Sequence, residues 1–151
     1  MTPDVNVLLA AHRADHVHHG TALAWLSQAL AAACSGGPLH LLPMVATAFL
    51  RVATHPKVFE QPTRADDAIR FIDAVAAAPG CEWLELSDEW PGVARLCRER
   101  GITGAAVSDA WIAAAVRRHG THLVTFDRDF ARLLDPSEFT LLPAQPKAAR
   151  R

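Results

Sequence analysis

Residues 107–130 read VSDAWIAAAVRRHGTHLVTFDRDF. The segment predicts a helix, because Ala110 to Val116 is an Ala-rich apolar run and His119-Gly120 is a typical stop signal. A short apolar, β-branched strand over His122 to Phe126 is expected to follow. Three carboxylates flank these two elements: Asp109 at the start of the helix, and Asp127 and Asp129 directly after the strand.

The rest of the chain alternates short strands with amphipathic helices, which predicts an α/β sandwich with a mainly parallel sheet. The predicted strands are a very short one ending near Asp4, and others over Leu39 to Leu42, Cys81 to Leu86 and Phe139 to Leu142. The predicted helices are one that follows Asp4 directly, one over residues 22–33, one from Pro43 to about Thr54, one that opens with a capping box of Thr63 and Asp66, and one from Ser87 or Asp88 to Gly101. Trp90 is expected on the inward face of the last of these helices. We expect one domain over residues 1–142 and a flexible basic tail over residues 143–151.

Composition narrows the class of protein. The chain has 151 residues, a formal net charge of −1 and 50% hydrophobic residues, which fits one folded domain and argues against a basic nucleic-acid-binding module. No apolar run reaches the roughly 18 residues of a membrane helix, and no signal peptide is visible. Cys34, Cys81 and Cys97 form no CxxC pair and are interpreted as buried thiols, so the cytoplasm is the expected location.

Far-separated acids are expected to meet in such a fold. The functional crevice of an open parallel sheet lies at the carboxyl ends of the strands, where Asp4 and Asp127 would both lie, and Asp109 would face the same edge from a helix N-terminus. Crowded carboxylates require cations, and hard oxygen ligands suit Mg²⁺ or Mn²⁺, which support hydrolysis of phosphodiesters. Each acid also has a structural alternative, as a helix cap for Asp4 and Asp109 and as turn residues for Asp127 and Asp129.

Other motifs point to no competing chemistry. The sequence contains no GxSxG, Walker-type or GxGxxG segment. The histidine-rich stretch over residues 12–19 is interpreted as a loop and a first helical turn rather than a zinc site. The four tryptophans are interpreted as core residues rather than base-stacking platforms, at Trp25, Trp83, Trp90 and Trp111.

The chain resembles PIN-domain ribonucleases of the VapC toxin type along nearly its whole length. The resemblance is carried by DVNVLL at residues 4–9, His18-His19, FLRVxTxP at residues 49–56, Ser108-Asp109-Ala110, His119-Gly120 and TFDRDF at residues 125–130. The FLRVxTxP segment is similar to a subgroup abundant in mycobacteria and other actinobacteria.

The resemblance implies a three-layer α/β/α sandwich and an endoribonuclease dependent on Mg²⁺ or Mn²⁺, with tRNA or rRNA as expected targets. It also implies inhibition by a cognate VapB-type antitoxin, and a homodimer. By motif, Asp4, Asp109 and Asp127 correspond to metal-binding catalytic acids and Asp129 to a supporting one, while Asn6 and Thr125 correspond to residues that orient the acids. Arg51 could contact RNA phosphate or the antitoxin, or form a structural ion pair.

Two departures keep alternatives open. Many PIN domains carry a Glu where this chain has Ala48, and only three residues precede Asp4. A degenerate domain that binds RNA or antitoxin without cleavage is therefore a second hypothesis. A phosphoacceptor receiver domain is a third, but it would need paired acids after the first strand and a suitably placed lysine, whereas the only lysines are Lys57 and Lys147.

Overall fold

A computed structural model describes residues 1–144. The predicted basic tail over residues 143–151 therefore lies almost wholly outside the described residues. The strands are β1 (Thr2–Pro3), β2 (Leu39–Leu41), β3 (Cys81–Trp83), β4 (Leu123–Thr125) and β5 (Phe139–Leu141). The α-helices are α1 (Val5–His12), α2 (His19–Ala33), α3 (Pro43–Ala53), α4 (Ala65–Ala76), α5 (Trp90–Arg100) and α6 (Val107–His119).

The strands pair in parallel throughout this part of the chain. Strand β4 lies between β1 and β5, and β2 pairs with β3. The amide of His40 in β2 donates to the carbonyl of Met1 at 2.8 Å, which joins the two groups of strands. The spatial order is therefore β3-β2-β1-β4-β5, so β1 and β4 are central neighbours whose carboxyl ends meet at one edge.

Helices cover both faces of this sheet. Leu123 belongs to a core cluster with Phe49, Val93 and Phe130, whereas the next residue, Val124, belongs to a second cluster with Leu26. Successive strand residues point to opposite faces, so each face has its own hydrophobic core. The predicted α/β sandwich with a parallel sheet is confirmed.

Two helix ends and one helix start follow the predicted sequence signals. Gly120 ends α6 with a left-handed backbone of φ 60°, and Gly101 ends α5 in the same way. Pro43 begins α3, where a missing amide hydrogen costs nothing. The predicted capping box at Thr63 is wrong, because α4 has no side-chain cap and the Thr63 hydroxyl instead accepts from Arg13 at 3.3 Å.

Several surface predictions are also wrong. Trp90 is 63% exposed and Trp83 46% exposed, so neither is a core residue. A Cβ on Gly92 would lie 3.3 Å from the Cβ of Ala114, so these two small residues allow α5 to approach α6 closely. The Trp90 ring lies at the edge of this contact, with its centroid 6.2 Å from that of Trp111 in α6. Cys34 is exposed, because it lies at the end of α2 where the chain turns into a glycine-rich loop.

The strands at residues 81 and 139 are shorter than predicted, at three residues each.

None of the helices in residues 1–144 combines the length and the apolar character needed to cross a membrane.

Candidate active site

Asp4 lies at the junction of β1 and α1 and is only 5% exposed. Its Oδ1 accepts from the amide of Val5 at 2.6 Å, which makes it the N-cap of α1. Its Oδ2 accepts from the side chains of Asn6 and Thr125, each at 2.6 Å. The capping alternative for Asp4 is therefore correct, but it does not exclude a second role, since three donors hold the carboxylate in one orientation.

Asn6 links the start of α1 to the end of β4. Its Oδ1 accepts from the amide of Phe126 at 3.1 Å, and its Nδ2 donates to Asp4 and to the hydroxyl of Thr125, the latter at 3.1 Å. Because a backbone amide can only donate, the contact with Phe126 fixes which end of the Asn6 amide faces Asp4. The orienting roles expected for Asn6 and Thr125 agree with this geometry.

Asp127 continues the network beyond β4. Its amide donates to the hydroxyl of Thr125 at 2.9 Å, and its Oδ1 accepts from the amide of Asp129 at 2.8 Å. The Asp129 carboxylate is exposed, so this residue supports Asp127 through its backbone. The predicted turn after β4 is therefore correct for the backbone of Asp127 and Asp129. Oδ2 of Asp127 takes no part in these two hydrogen bonds.

Asp109 approaches the same cluster from the first turn of α6. Its pKa is raised to about 6, first by partial burial and then by the negative charges of Asp4, Asp127 and Asp129. No side chain caps α6, so Asp109 is not the helix cap. The charges of Asp4, Asp127 and Asp129 all act on Asp109, so these three acids lie within electrostatic reach of it.

Burial also raises the pKa of Asp4. The hydrogen bonds from Thr125, Val5 and Asn6 oppose this shift, and the charge of Asp127 adds to it. A carboxylate that is buried, hydrogen-bonded and close to like charges gains from a nearby cation. A nearby cation would therefore stabilise the ionised forms of both Asp4 and Asp109.

The donor set fits Mg²⁺ or Mn²⁺ in chemical type, since all its members are carboxylates. Among residues 1–144, no three His, Cys, Asp or Glu side chains are spaced as a ready-made set of metal ligands. Mg²⁺ needs only one or two protein carboxylates, because it retains several waters and takes substrate phosphates as further ligands. The cluster thus fits a hydrated ion better than a closed structural site.

Arg51 lies apart from this network. It is in the last turn of α3, is exposed, and makes no ion pair or side-chain hydrogen bond within the described residues. One predicted role of Arg51, a structural ion pair, is therefore not formed within residues 1–144. A contact with RNA or with an antitoxin stays a prediction.

Sequence reasoning missed a ring contact beside the acids. The imidazole of His18 stacks on Phe126, with ring centroids 4.7 Å apart and an angle of 19° between the planes. The two residues are distant in sequence, and only the pairing of His18-His19 within the family motif hinted at a specific role. The rest of the histidine-rich stretch forms the predicted loop and helix start, between the end of α1 and the beginning of α2.

Comparisons with known proteins agree with this architecture. A family model described as "PIN domain" matches residues 1–134. Ribonuclease VapC25 of Mycobacterium tuberculosis is 38% identical over 136 residues, which covers 85% of this chain and 89% of the relative. A VapC ribonuclease of Mycobacterium bovis, Mb2897, is 35% identical over 130 residues, with 85% and 86% of the two chains covered.

A solved structure gives the same fold. A chain from the crystal structure of VapBC2 of Rickettsia felis, bound to a DNA fragment from the promoter, superposes with a TM-score of 0.67. The superposition covers 94% of this chain and 98% of that chain at 14% sequence identity. At that identity the likeness supports the fold alone.

Proposed function

The chain belongs to the PIN domain family, within its VapC type, and on this basis we propose that it is an endoribonuclease toxin that requires Mg²⁺ or Mn²⁺. The expected substrates are cellular RNAs, with tRNA and rRNA as the first to test, in the cytoplasm. The relatives at 35–38% identity are named as ribonucleases, which supports the activity on RNA.

One observation carries the proposal. The hydroxyl of Thr125 donates to Asp4 at 2.6 Å and accepts from the amide of Asp127 at 2.9 Å, which links acids from the two ends of the chain. Burial, together with the charges of Asp4, Asp127 and Asp129, raises the pKa of Asp109 to about 6. A fold does not gain stability from crowding four acids, so their convergence at the carboxyl edge of the sheet favours a functional explanation.

The residues have separable roles in this mechanism. Asp4 provides a carboxylate that Thr125 and Asn6 hold in a fixed orientation, and Asp109 and Asp127 provide further oxygens on a more exposed side of the cluster. A bound divalent ion would lower the pKa of a water molecule and stabilise the oxyanions of an in-line displacement at phosphorus. Asp129 holds Asp127 in its turn and adds negative charge at the rim.

The proposed partners are a VapB-type antitoxin and a second copy of the chain. The neighbour from Rickettsia felis is a VapBC assembly, which supports an antitoxin partner for this fold. Arg51 is a suitable contact for RNA phosphate or for an acidic group of the antitoxin, since it is exposed and has no partner in residues 1–144. The homodimer rests on the resemblance to VapC toxins.

Expression in cells tests the proposed function directly. The chain would be induced alone and together with the small open reading frame expected immediately upstream, and RNA 5′ ends would be mapped in both cultures. We expect growth arrest with discrete new 5′ ends, and relief of both by the upstream product. Arrest without new RNA ends would contradict the ribonuclease assignment.

A second candidate function has a specific observation in its favour. Ala48 occupies the position where many PIN domains have an acid, and no three acids in residues 1–144 form a ready metal site. The chain would then act by binding RNA or antitoxin without cleavage. Titration with Mg²⁺ and Mn²⁺ in the presence of RNA separates the two functions, because only the ribonuclease requires saturable metal binding.

A further inference from the structure

Trp90 is the most exposed large apolar residue in the described part of the chain, at 63%. Its ring centroid lies 6.2 Å from that of Trp111, and the next residue, Pro91, is exposed as well. A single exposed apolar residue needs no explanation, but neighbouring apolar side chains at the surface mark a site of interaction. Tryptophan is also enriched among the residues that dominate binding between proteins.

Charged side chains flank Trp90 in a fixed order along the chain. Glu85 and Asp88 precede α5, whereas Arg95 and Arg98 lie in its second half, and all four are exposed. None of the four side chains forms an ion pair or a hydrogen bond within residues 1–144. The exposed residues of this region form what we call the α5 surface: Glu85, Asp88, Trp90, Pro91, Arg95 and Arg98.

The charges of the α5 surface are complementary to themselves under a twofold rotation. The pairs Asp88 with Arg95 and Glu85 with Arg98 are both centred between positions 91 and 92. If α5 packs antiparallel to α5 of a second copy, an axis at this centre places Asp88 opposite the partner's Arg95, and Glu85 on the side of the partner's Arg98. Twofold dimers, in which the same patch is used by both subunits, are the commonest oligomers.

One charge in the second half of α5 has the opposite sign. Glu99 is exposed, but its charge acts on Arg117 of α6, which itself pairs with Glu138 at 2.9 Å. Glu99 therefore has a neighbour within its own chain, whereas Arg95 and Arg98 have none. The balance at this end of the α5 surface stays positive.

The mixed charge also separates the candidate partners. RNA is a polyanion and is bound through arrays of cations, so a surface whose first half contains two exposed acids suits it poorly. A second copy of the chain satisfies both halves at once, because it presents arginines to the acids and acids to the arginines.

We propose that the α5 surface is the interface through which two copies of the chain form a twofold dimer. The inference rests on the proposed function, which includes a homodimer but does not assign its surface. Trp90 of each copy is close to the axis and provides the apolar anchor. The charged pairs fix the antiparallel orientation of the two helices.

A charge exchange tests the proposed interface. Sedimentation equilibrium of the purified chain at graded concentrations would give the dimer dissociation constant. We expect Asp88→Arg and Arg95→Asp each to raise this constant about 10-fold or more, since each places like charges opposite one another. An equimolar mixture of the two variants should form a mixed dimer of nearly wild-type affinity, because opposite charges then meet at both contacts. Native mass spectrometry identifies the mixed dimer by its mass.

Trp90→Ala tests the apolar anchor and should raise the dissociation constant at least about 30-fold, the effect expected for a hot-spot residue. Trp83→Ala is its matched control, because Trp83 is 46% exposed but lies in β3. Arg64→Asp is the charge control, since Arg64 is exposed at the start of α4. Both controls should dimerise like the wild type. Thermal unfolding of each variant verifies the fold, and the remaining variants decide the result if one fails to fold.

Three results would overturn the proposed interface: a Trp90→Ala variant that dimerises as tightly as the wild type, equal losses in the controls, or no mixed dimer from the two charge variants. Unchanged dimerisation of Trp90→Ala, together with loss of co-purification of the upstream product, would assign the α5 surface to the antitoxin instead.

The interface and the other parts of the proposed function can fail separately. A wild type that is monomeric at every concentration and still cleaves RNA would retain the ribonuclease and overturn both the dimer and its interface. A dimer that is lost in Trp90→Ala but cleaves no RNA would retain the interface and contradict the ribonuclease.

Discussion

Thr125 and Asp4 lie 121 positions apart in the sequence, and the hydroxyl of Thr125 donates to Oδ2 of Asp4 at 2.6 Å. The bond joins the carboxyl ends of β4 and β1, which are paired in parallel. Both residues are buried, so the hydroxyl satisfies a carboxylate that water reaches poorly. The geometry of the acid cluster depends on this pairing of strands.

Thr125→Val should weaken both the fold and the activity. The variant keeps the branched shape but leaves Asp4 with one donor fewer, which costs about 1–3 kcal/mol in the free energy of unfolding. Misplacement of Asp4 should lower the rate of RNA cleavage about 10-fold or more. Thr125→Ser is the control, because it retains the hydroxyl. Urea unfolding and cleavage rates measure the two effects, and a valine variant with the wild-type rate would contradict the orienting role.

Asn6→Asp should be more harmful to cleavage than Asn6→Ala at low metal concentration. The aspartate retains the acceptor for the amide of Phe126 but replaces the donor to Asp4 by a second negative charge. Repulsion between the two carboxylates disfavours the ionised cluster. The measurement is the cleavage rate at graded Mg²⁺ concentrations, where added metal should narrow the difference. An aspartate variant that exceeds the alanine variant at every concentration would refute this argument.

Asp109→Asn should stabilise the metal-free protein at pH 7.5. A pKa raised from 3.8 to about 6 would correspond to about 3 kcal/mol for a fully buried group. The expected gain is about 1 kcal/mol, because Asp109 is only partly buried and water screens its charge. Asp66→Asn is the matched control, since Asp66 is an exposed acid in the first turn of α4. Chemical denaturation in EDTA measures the change, and a clear loss of stability in Asp109→Asn would contradict the crowding of the acids.

The same pKa predicts how stability depends on pH. The folded protein holds the Asp109 proton more tightly than the unfolded chain does, so this residue lowers the free energy of unfolding as pH rises from about 4 to about 6. Above about pH 6, Asp109 causes no further decrease in the free energy of unfolding. The wild type should show this loss in metal-free buffer and Asp109→Asn should not. Identical pH profiles for the two proteins would count against the shifted pKa.

Glu138→Gln should weaken the fold without changing the chemistry of cleavage. Glu138 accepts from Nε and Nη2 of Arg117, each at 2.9 Å, and so connects β5 to the end of α6. The hydrogen bonds from Arg117 lower the pKa of Glu138, so the ionised carboxylate contributes stability that is fully present above its unfolded pKa and is lost as pH falls through its lower folded pKa. We expect a loss of about 1 kcal/mol, since the pair is only partly buried. A cleavage rate per folded molecule below the wild-type rate would show that this pair also affects the site.

Periodicity and turn residues predicted most of the fold. Alternation of strands with amphipathic helices gave the parallel sandwich, and Gly101 and Gly120 gave two helix ends, because these features depend on local sequence. Exposure was predicted less well. Trp90 is apolar and lies at helical spacing, but it stays exposed at the edge of the contact between α5 and α6, where Gly92 and Ala114 allow the close approach. Such a choice depends on a neighbour that the local pattern does not contain.

The acids were predicted from their positions relative to strands and helices, and from the family motif. Their mutual orientation was not predictable, because Asp4, Asn6 and Thr125 acquire it only when β1 pairs with β4. The His18–Phe126 contact depends in the same way on how α2 docks beside β4, so neither stretch of sequence indicates it alone.

In vitro cleavage of RNA tests the central claim most directly. Purified wild type and the Asp4→Ala, Asp109→Ala double variant would be incubated with tRNA and rRNA in EDTA, Mg²⁺ and Mn²⁺, after both are shown to fold by thermal unfolding. The convergence of the acids predicts discrete cleavage by the wild type only with a divalent ion, and none by the double variant. Equal cleavage by the two proteins, or cleavage by the wild type in EDTA, would contradict it.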